Sequence, residues 1–244
     1  MKNKNKIPNH IKKISIFLTI LITILALSYT IIELINIHKK PENLLTEELV
    51  EPSEKENVDV LFSKNVDFPS LREKFNNNDI IARLEIPNVF NILITQTDNN
   101  DFYLKYNIKK ERDVKGTEFI DFRNTLLDKQ INIYGHNSKY YDSPFKKLEL
   151  FNEKDFFDNN EYILLQHSIG RRIYKIVSFK KVSTDYEHMT IDSQNHKEHI
   201  SKLLENSINI KDIEYTDDTN ILILQTCTIG TGKNYYLLIA FEIK

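Results

Sequence analysis

Between Lys13 and Glu33 the chain carries no charged side chain, and the run from Ile14 to Ile32 is apolar apart from hydroxyl residues such as Ser15, Thr19, Thr23, Ser28 and Thr30. In hydrocarbon every backbone N–H and C=O must be satisfied within the segment, so such a run is confined to an α-helix, and about 20 helical residues cross a bilayer core. The sequence therefore predicts a transmembrane anchor over 14–36. Glu33, Leu34, Ile35 and Asn36 continue past the run without a small-x-small cleavage pattern, so the expectation is an uncleaved anchor and not a removed signal. Lys2, Lys4, Lys6, Lys12 and Lys13 precede the run, and Lys39 and Lys40 follow it. The heavier cluster in front predicts a cytoplasmic N-terminus over 1–13 and a single-pass protein whose bulk is extracellular.

Residues 37–58 hold Glu42, Glu47, Glu48, Glu51, Glu54 and Glu56 with Pro41 and Pro52, the composition of a solvated stalk. The remaining 59–244 have the size of one domain. A formal net charge of -2 offers no attraction for polyanions, and no stretch interleaves basic with aromatic residues, so nucleic acid is excluded as a partner. There is no internal repeat and no glycine-rich phosphate loop.

Short β-type runs separated by polar turns dominate the ectodomain, at 80–86, 90–95, 117–121, 131–134, 162–166, 172–182, 220–227 and 235–243. Several are apolar on both faces, as strands lying between a core and covering helices are. Helical segments are predicted within 58–77, near 144–151 and over 195–207, where Ile200, Leu203, Leu204 and Ser207 follow helical spacing. This order suits a closed or nearly closed β-barrel decorated by helices better than an alternating βαβ sheet.

Cys227 is the only cysteine, so no internal disulfide can form, and it ends the run Ile221-Leu222-Ile223-Leu224-Gln225-Thr226-Cys227. A lone thiol is either a small buried hydrophobe or a nucleophile. Because a free cysteine titrates near ~8.5, the second role needs a base or an imidazolium beside it. Ile131-Asn132-Ile133-Tyr134-Gly135-His136-Asn137 places a histidine just past another strand, with Gly135 permitting close backbone approach. His196 and His199 share a spacing compatible with one helix face, but no third ligand accompanies them, and a hydrated surface pair is the simpler reading. His167 and His188 carry no supporting pattern.

These segments resemble a known family, the class B sortases, which are membrane-anchored cysteine transpeptidases of Gram-positive bacteria. Ile223-Leu224-Gln225-Thr226-Cys227 is similar to the sortase T-L-x-T-C signature, with isoleucine for the first threonine, and Tyr134-Gly135-His136-Asn137 is similar to its Y-G-H-N segment. Asp98-Asn99-Asn100-Asp101-Phe102-Tyr103-Leu104 resembles the D-N-x-x-Y-L stretch of class B, and the nine residues from Gly116 to Asn124 resemble its G-x-x-F-x-D-x-R-N. All four stand in family order. The resemblance implies a mainly β fold with helices, an eight-stranded sortase-type barrel behind an N-terminal transmembrane helix. It implies a thiol-protease-like transpeptidase that anchors surface proteins: Cys227 attacks a C-terminal sorting signal and forms a thioacyl enzyme, and His136 protonates the leaving amine. An amine from a peptidoglycan precursor or a pilin then takes the acyl group. No cofactor or metal is implied.

The family's third catalytic position, an arginine on the last strand, is matched here by Tyr235, and no arginine follows Cys227. Tyr235 could donate a neutral hydrogen bond to the substrate carbonyl, and Lys233 could supply charge. Asn100 and Leu104 resemble residues flanking the bound peptide, and Gln225, Thr226 and Thr228 surround the nucleophile. Asp121 and Asn124 could order the His136 loop, or simply make turn hydrogen bonds. Two other readings stay open: a sortase-like scaffolding ectodomain left weak or silent by the missing arginine, and a plain extracellular cysteine peptidase.

Overall fold

The computed structural model describes residues 9–38, 58, 62–186, 195–227 and 234–243, with the backbone alone at 9–17, 19, 36–38 and 227. The chain divides into two units, Met1–Lys39 and Lys40–Lys244. Thr228, Lys233, His188 and residues 39–57 of the stalk predicted over 37–58 lie outside the described residues.

The first unit is one helix, α1 (Asn9–His38), which begins within the predicted cytoplasmic segment and runs two residues beyond the predicted span. Thr23, Ser28 and Thr30 donate their hydroxyls to the carbonyls of Ile20, Leu25 and Leu27, each at 2.8 Å, so these polar groups are satisfied inside the helix. Its aliphatic side chains from Leu18 to Ile35 are exposed on all sides. Among the described residues no helix is long and apolar enough to cross a membrane, and α1 side chains are described only at Leu18 and over 20–35.

Among the described residues the second unit is built on nine strands: β1 (Ile80–Ile86), β2 (Phe90–Thr95), β3 (Phe119–Ile120), β4 (Gln130–Gly135), β5 (Tyr162–His167), β6 (Gly170–Ser183), β7 (Asn209–Ile210), β8 (Ile221–Cys227) and β9 (Asn234–Glu242). Their order is β5-β1-β2-β3-β4-β8-β9-β6-β7, and an additional β5–β6 pairing closes eight of them into a barrel while β7 rides on β6. Two pairs, β2–β3 and β4–β8, are parallel. Closure removes the exposed edges that an open sheet would present.

Strand alternation sorts the side chains into two layers. Ile131, Ile133, Leu222, Leu224, Leu238 and Ala240 point into the barrel with Phe145 and Phe179. Ile221, Ile223, Leu237 and Ile239 form an outer layer with Ile200 and Leu203 of helix α4 (His196–Leu204). Both faces of these strands are therefore covered, which explains their nearly continuous apolar sequence. β1 solves the same problem with charge: Arg83 and Glu85 are fully buried and pair at 3.1 Å. The incoming residues 63 and 64 cover them, with Ser63 donating its hydroxyl to Glu85 at 2.8 Å and Arg83 donating to the Lys64 carbonyl at 2.6 Å.

Helix α2 (Phe68–Phe75) starts with a proline in its first turn and stops at Asn76, whose left-handed φ of 48° lets its own N–H close the last turn. A 3-10 helix (Pro144–Asn152) and the short α3 (Lys154–Asn159), the latter not anticipated from sequence, close one side of the core. Other differences are local. The predicted strand 117–121 shortens to Phe119–Ile120, since Thr117 turns its N–H to the Tyr103 carbonyl and its hydroxyl to that of Tyr106. Helix α4 stops at Leu204, and Ser207 folds back to donate to the Leu204 carbonyl instead of extending the stripe. His196 is not a hydrated surface residue: it is buried, with Nε2 2.7 Å from the Thr219 carbonyl, while His199 Nε2 lies 2.6 Å from Gln130 Oε1.

Candidate active site

β4 and β8 run parallel with Tyr134 beside Gln225 and Gly135 beside Thr226, so the next residues in each strand direction are His136 and Cys227. On the other side β9 runs antiparallel to β8 and sets Tyr235 directly opposite Cys227. Neighbouring strands lie about 4.8 Å apart, and paired residues share a sheet face. Leu222 and Leu224 occupy the inner layer, so the pleat places positions 225 and 227 on the outer face, where Tyr235 packs beside Leu237. The same alternation carries position 136 to the face of Tyr134. One end of three adjacent strands thus collects 136, 227 and 235 on a common face.

Two short contacts fix the β4 side of this end. Thr226 donates its hydroxyl to the Gly135 carbonyl at 2.8 Å, stapling the last register pair. Phe145 lies so close to Gly135 that a Cβ there would stand 2.6 Å from its ring and 2.8 Å from Glu118 Cγ, so only glycine fits. His136, half-buried, turns Nε2 to the Leu104 carbonyl at 2.7 Å. A carbonyl only accepts, so Nε2 carries the proton, and Nδ1 is the nitrogen available to exchange one. Gly116 makes room for this contact: its φ of +61° is the left-handed region, and a Cβ there would come within 2.3 Å of the Tyr103 carbonyl oxygen and 3.2 Å of His136 Cδ2. Ser143, buried, donates its hydroxyl to the His136 carbonyl at 2.7 Å, and Asn137 donates to Glu149 at 2.8 Å.

Behind the histidine segment lies a buried carboxylate. Asp121 is fully buried and accepts from Arg123 Nε at 2.9 Å and Nη2 at 2.8 Å, from the Arg123 N–H at 2.9 Å and from the Tyr134 hydroxyl at 2.8 Å. Burial raises its pKa, but these hydrogen bonds and that of the Asn100 amide outweigh it and hold the carboxyl down at about 2. Burial and the neighbouring Asp121 push the Tyr134 phenol upward, so it stays a donor. Asn124 accepts from the Asn132 N–H at 2.9 Å and donates to the Gln130 carbonyl at 2.7 Å, which ties the same loop to β4.

The sequence-predicted site residues divide accordingly. Positions 136, 227 and 235 lie at one end of three adjacent strands, with Gln225 and Thr226 immediately before 227. Thr226 is 1% exposed, and its proton already goes to Gly135. Asn100 is tied to the loop that follows β3, donating to Asp121 at 3.1 Å and accepting from the Phe122 N–H at 3.0 Å. Leu104 reaches the site through its carbonyl. The positioning groups that sequence reading did not single out are Ser143, the Leu104 carbonyl and the Gly116 backbone. Sequence reading takes Leu104 as a peptide-flanking side chain and Gly116 only as a glycine within a motif.

No protein-family model matches the chain. It is 28% identical over 165 residues to sortase B of Listeria monocytogenes serovar 1/2a, covering 65% of this chain and 66% of that relative. It is 26% identical over 157 residues to sortase B of Staphylococcus aureus, covering 62% and 64%. The chain therefore spans just under two thirds of the length of these relatives. Among solved structures, sortase B of Clostridium perfringens superposes with a TM-score of 0.67 at 24% identity, covering 72% of this chain and 100% of that one. The Staphylococcus aureus sortase B–substrate complex gives 0.66 at 24%, covering 72% and 84%, and sortase B complexed with triglycine gives 0.65 at 24%, covering 72% and 85%. The closed mixed barrel is thus the sortase fold. Within that fold, the sequence is similar to the sortase B proteins of these two bacteria.

Proposed function

We propose that the chain is a membrane-anchored cysteine transpeptidase that joins surface proteins to an amine at the cell wall. The observation that carries the reading is the register that sets position 136 beside 227 and position 235 opposite it. In the first step the Cys227 thiolate adds to the scissile carbonyl of a sorting signal, giving a tetrahedral oxyanion. Collapse breaks the C–N bond, and His136, protonated at Nδ1 while Nε2 holds the Leu104 carbonyl, gives that proton to the leaving amine. A thioacyl enzyme remains. An incoming amine attacks it, loses a proton to the imidazole and expels the thiolate, which restores the starting state. The substrate and triglycine complexes of sortase B support a sorting-signal peptide as donor and a glycine-type amine as acceptor.

Tyr235 takes the arginine's place as donor to the oxyanion. A neutral O–H is a weaker partner than a guanidinium. This specific replacement favours the second reading, a sortase-like ectodomain of low or no turnover that binds sorting signals. The helix α1, apolar on all faces, serves as the anchor: its hydroxyls are bonded internally, which suits lipid better than water.

Incubating the full chain with fluorogenic sorting-signal peptides, with and without triglycine, separates the readings. Amine-dependent product supports transfer, whereas cleavage indifferent to the amine replaces it with a peptidase. Peptide binding with neither product nor a mass shift on Cys227 supports the silent ectodomain.

A further inference from the structure

The end of the barrel remote from Cys227 carries a second polar cavity that transpeptidation does not use. It has a volume of about 320 Å3, and its lining includes Leu127, His167, Ile169, Arg171, Arg172 and Glu242. It is built from the loop before β4, the β5–β6 turn and the end of β9, whereas 136, 227 and 235 stand at the other ends of β4, β8 and β9. With β4 six residues long and β8 seven, at about 3.3 Å per residue, roughly 20 Å separates the two ends.

Within the cavity Arg172 donates Nη2 to Glu242 at 2.7 Å and Nη1 to the carbonyls of Leu126 and Asp128 at 3.0 and 3.2 Å, and Asn220 donates to the same Glu242 oxygen at 2.6 Å. His167 is different. It is 5% exposed, its Nδ1 accepts the Ile169 N–H at 3.3 Å, and the proton therefore sits on Nε2, which has no partner. Burial, then Arg172, keep its pKa below the ordinary value, so the ring is a neutral donor. A buried donor without an acceptor is costly, and the lining holds two guanidinium groups to one carboxylate, so the acceptor it suits is an oxyanion.

The rim adds a second, independent observation. Leu127 and Ile169 flank the cavity and, at 72% and 69% exposure, are the most exposed aliphatic side chains among the described residues. The chain also enters the barrel here: Arg171 Nη1 donates to Asn65 Oδ1 at 3.0 Å, and the Val66 N–H to Gln166 Oε1 at 3.4 Å.

Aliphatic tips around an arginine-lined oxyanion pocket reproduce the layering of a membrane surface, with phosphates at one level and acyl chains just beneath. We propose that this end of the barrel docks on the outer leaflet, with the phosphate of an anionic lipid headgroup held between His167 Nε2 and Arg171 and with Leu127 and Ile169 at the acyl boundary. Docking directs the 136–227–235 end away from lipid, where wall substrates lie. The proposal rests on the anchor reading given above.

The test uses the full-length chain carrying Cys227→Ser with one nitroxide label at Leu127→Cys, Ile169→Cys or, as a control, Tyr140→Cys. Each chain is reconstituted into phosphatidylcholine vesicles with or without phosphatidylglycerol, and the label's collisions with oxygen and with a water-soluble nickel complex are compared. Docking predicts lipid contact at 127 and 169 with phosphatidylglycerol, water contact at 140, and an about five-fold smaller docked fraction in Arg171→Gln. Labels at 127 and 169 as wet as at 140 in both vesicle types overturn the proposal while leaving the anchor intact. A chain that does not float with the vesicles overturns both. Inorganic phosphate separates the remaining source: a pocket that binds it while the labels stay in water holds free phosphate, and membrane docking is then wrong.

Discussion

At the scale of single residues, the site depends on groups whose protonation and donor strength are set by their surroundings. Asp121 is the clearest case. Its folded pKa of about 2 lies below the ordinary 3.8, so the carboxylate stabilises the fold above pH ~4, and the contribution disappears as the pH falls from about 4 to about 2. A shift of that size corresponds to about 2 kcal/mol. Asp121→Asn is expected to lose that stability at pH 7 and to flatten the acid limb, as chemical denaturation at a series of pH values would read; an unchanged acid limb would deny the carboxylate this role. In the proposed mechanism Tyr235 is the oxyanion donor, on the strand opposite Cys227. Losing an oxyanion donor costs on the order of 100- to 1000-fold in rate, so Tyr235→Phe should lower acylation steeply and Tyr235→Arg should raise it. Equal acylation rates in all three proteins would remove Tyr235 from the chemistry.

At the scale of elements, the β4–β8 junction is what brings two distant stretches of sequence to one place. The Thr226 hydroxyl, bonded across it to the Gly135 carbonyl, holds the last pair in register. Thr226→Val keeps the shape and deletes the donor, for an expected loss of about 1 kcal/mol and a larger loss of acylation, because the His136 and Cys227 ends drift apart. Amide exchange in residues 133–136 should speed up in this variant, and protection equal to wild type would show that the staple does not set the junction. Much of this element level was legible in the amino-acid sequence. Alternation gave β1 and β2 their full extents, and apolar runs ended by histidine and cysteine marked the tips of β4 and β8. The parallel pairing of those two strands was not legible, because they are connected only through most of the barrel, and register depends on contacts of that whole path. Nor was the carbonyl of Leu104 as the partner of His136, since every residue has a carbonyl and none advertises its direction. His196 misled for a related reason: a polar side chain at a helix start reads as exposed until the Thr219 carbonyl that receives it is in view.

At the scale of the whole molecule, the β5–β6 pair closes a barrel in which β4, β8 and β9 are neighbours, and the N-terminal helix forms a separate unit. The two ends of the barrel differ in chemistry. One brings positions 136, 227 and 235 to the ends of adjacent strands, and the other gathers two arginines, a buried histidine and exposed aliphatic tips. The central claim is that Cys227 and His136 act together on an acyl group. Intact-mass spectrometry of the full chain after mixing with a sorting-signal peptide tests it most directly. The account predicts a thioacyl adduct on Cys227, none in Cys227→Ala, and formation slowed by about 100-fold or more in His136→Ala. An unmodified wild-type chain, or an adduct that forms equally fast without the imidazole, would contradict it.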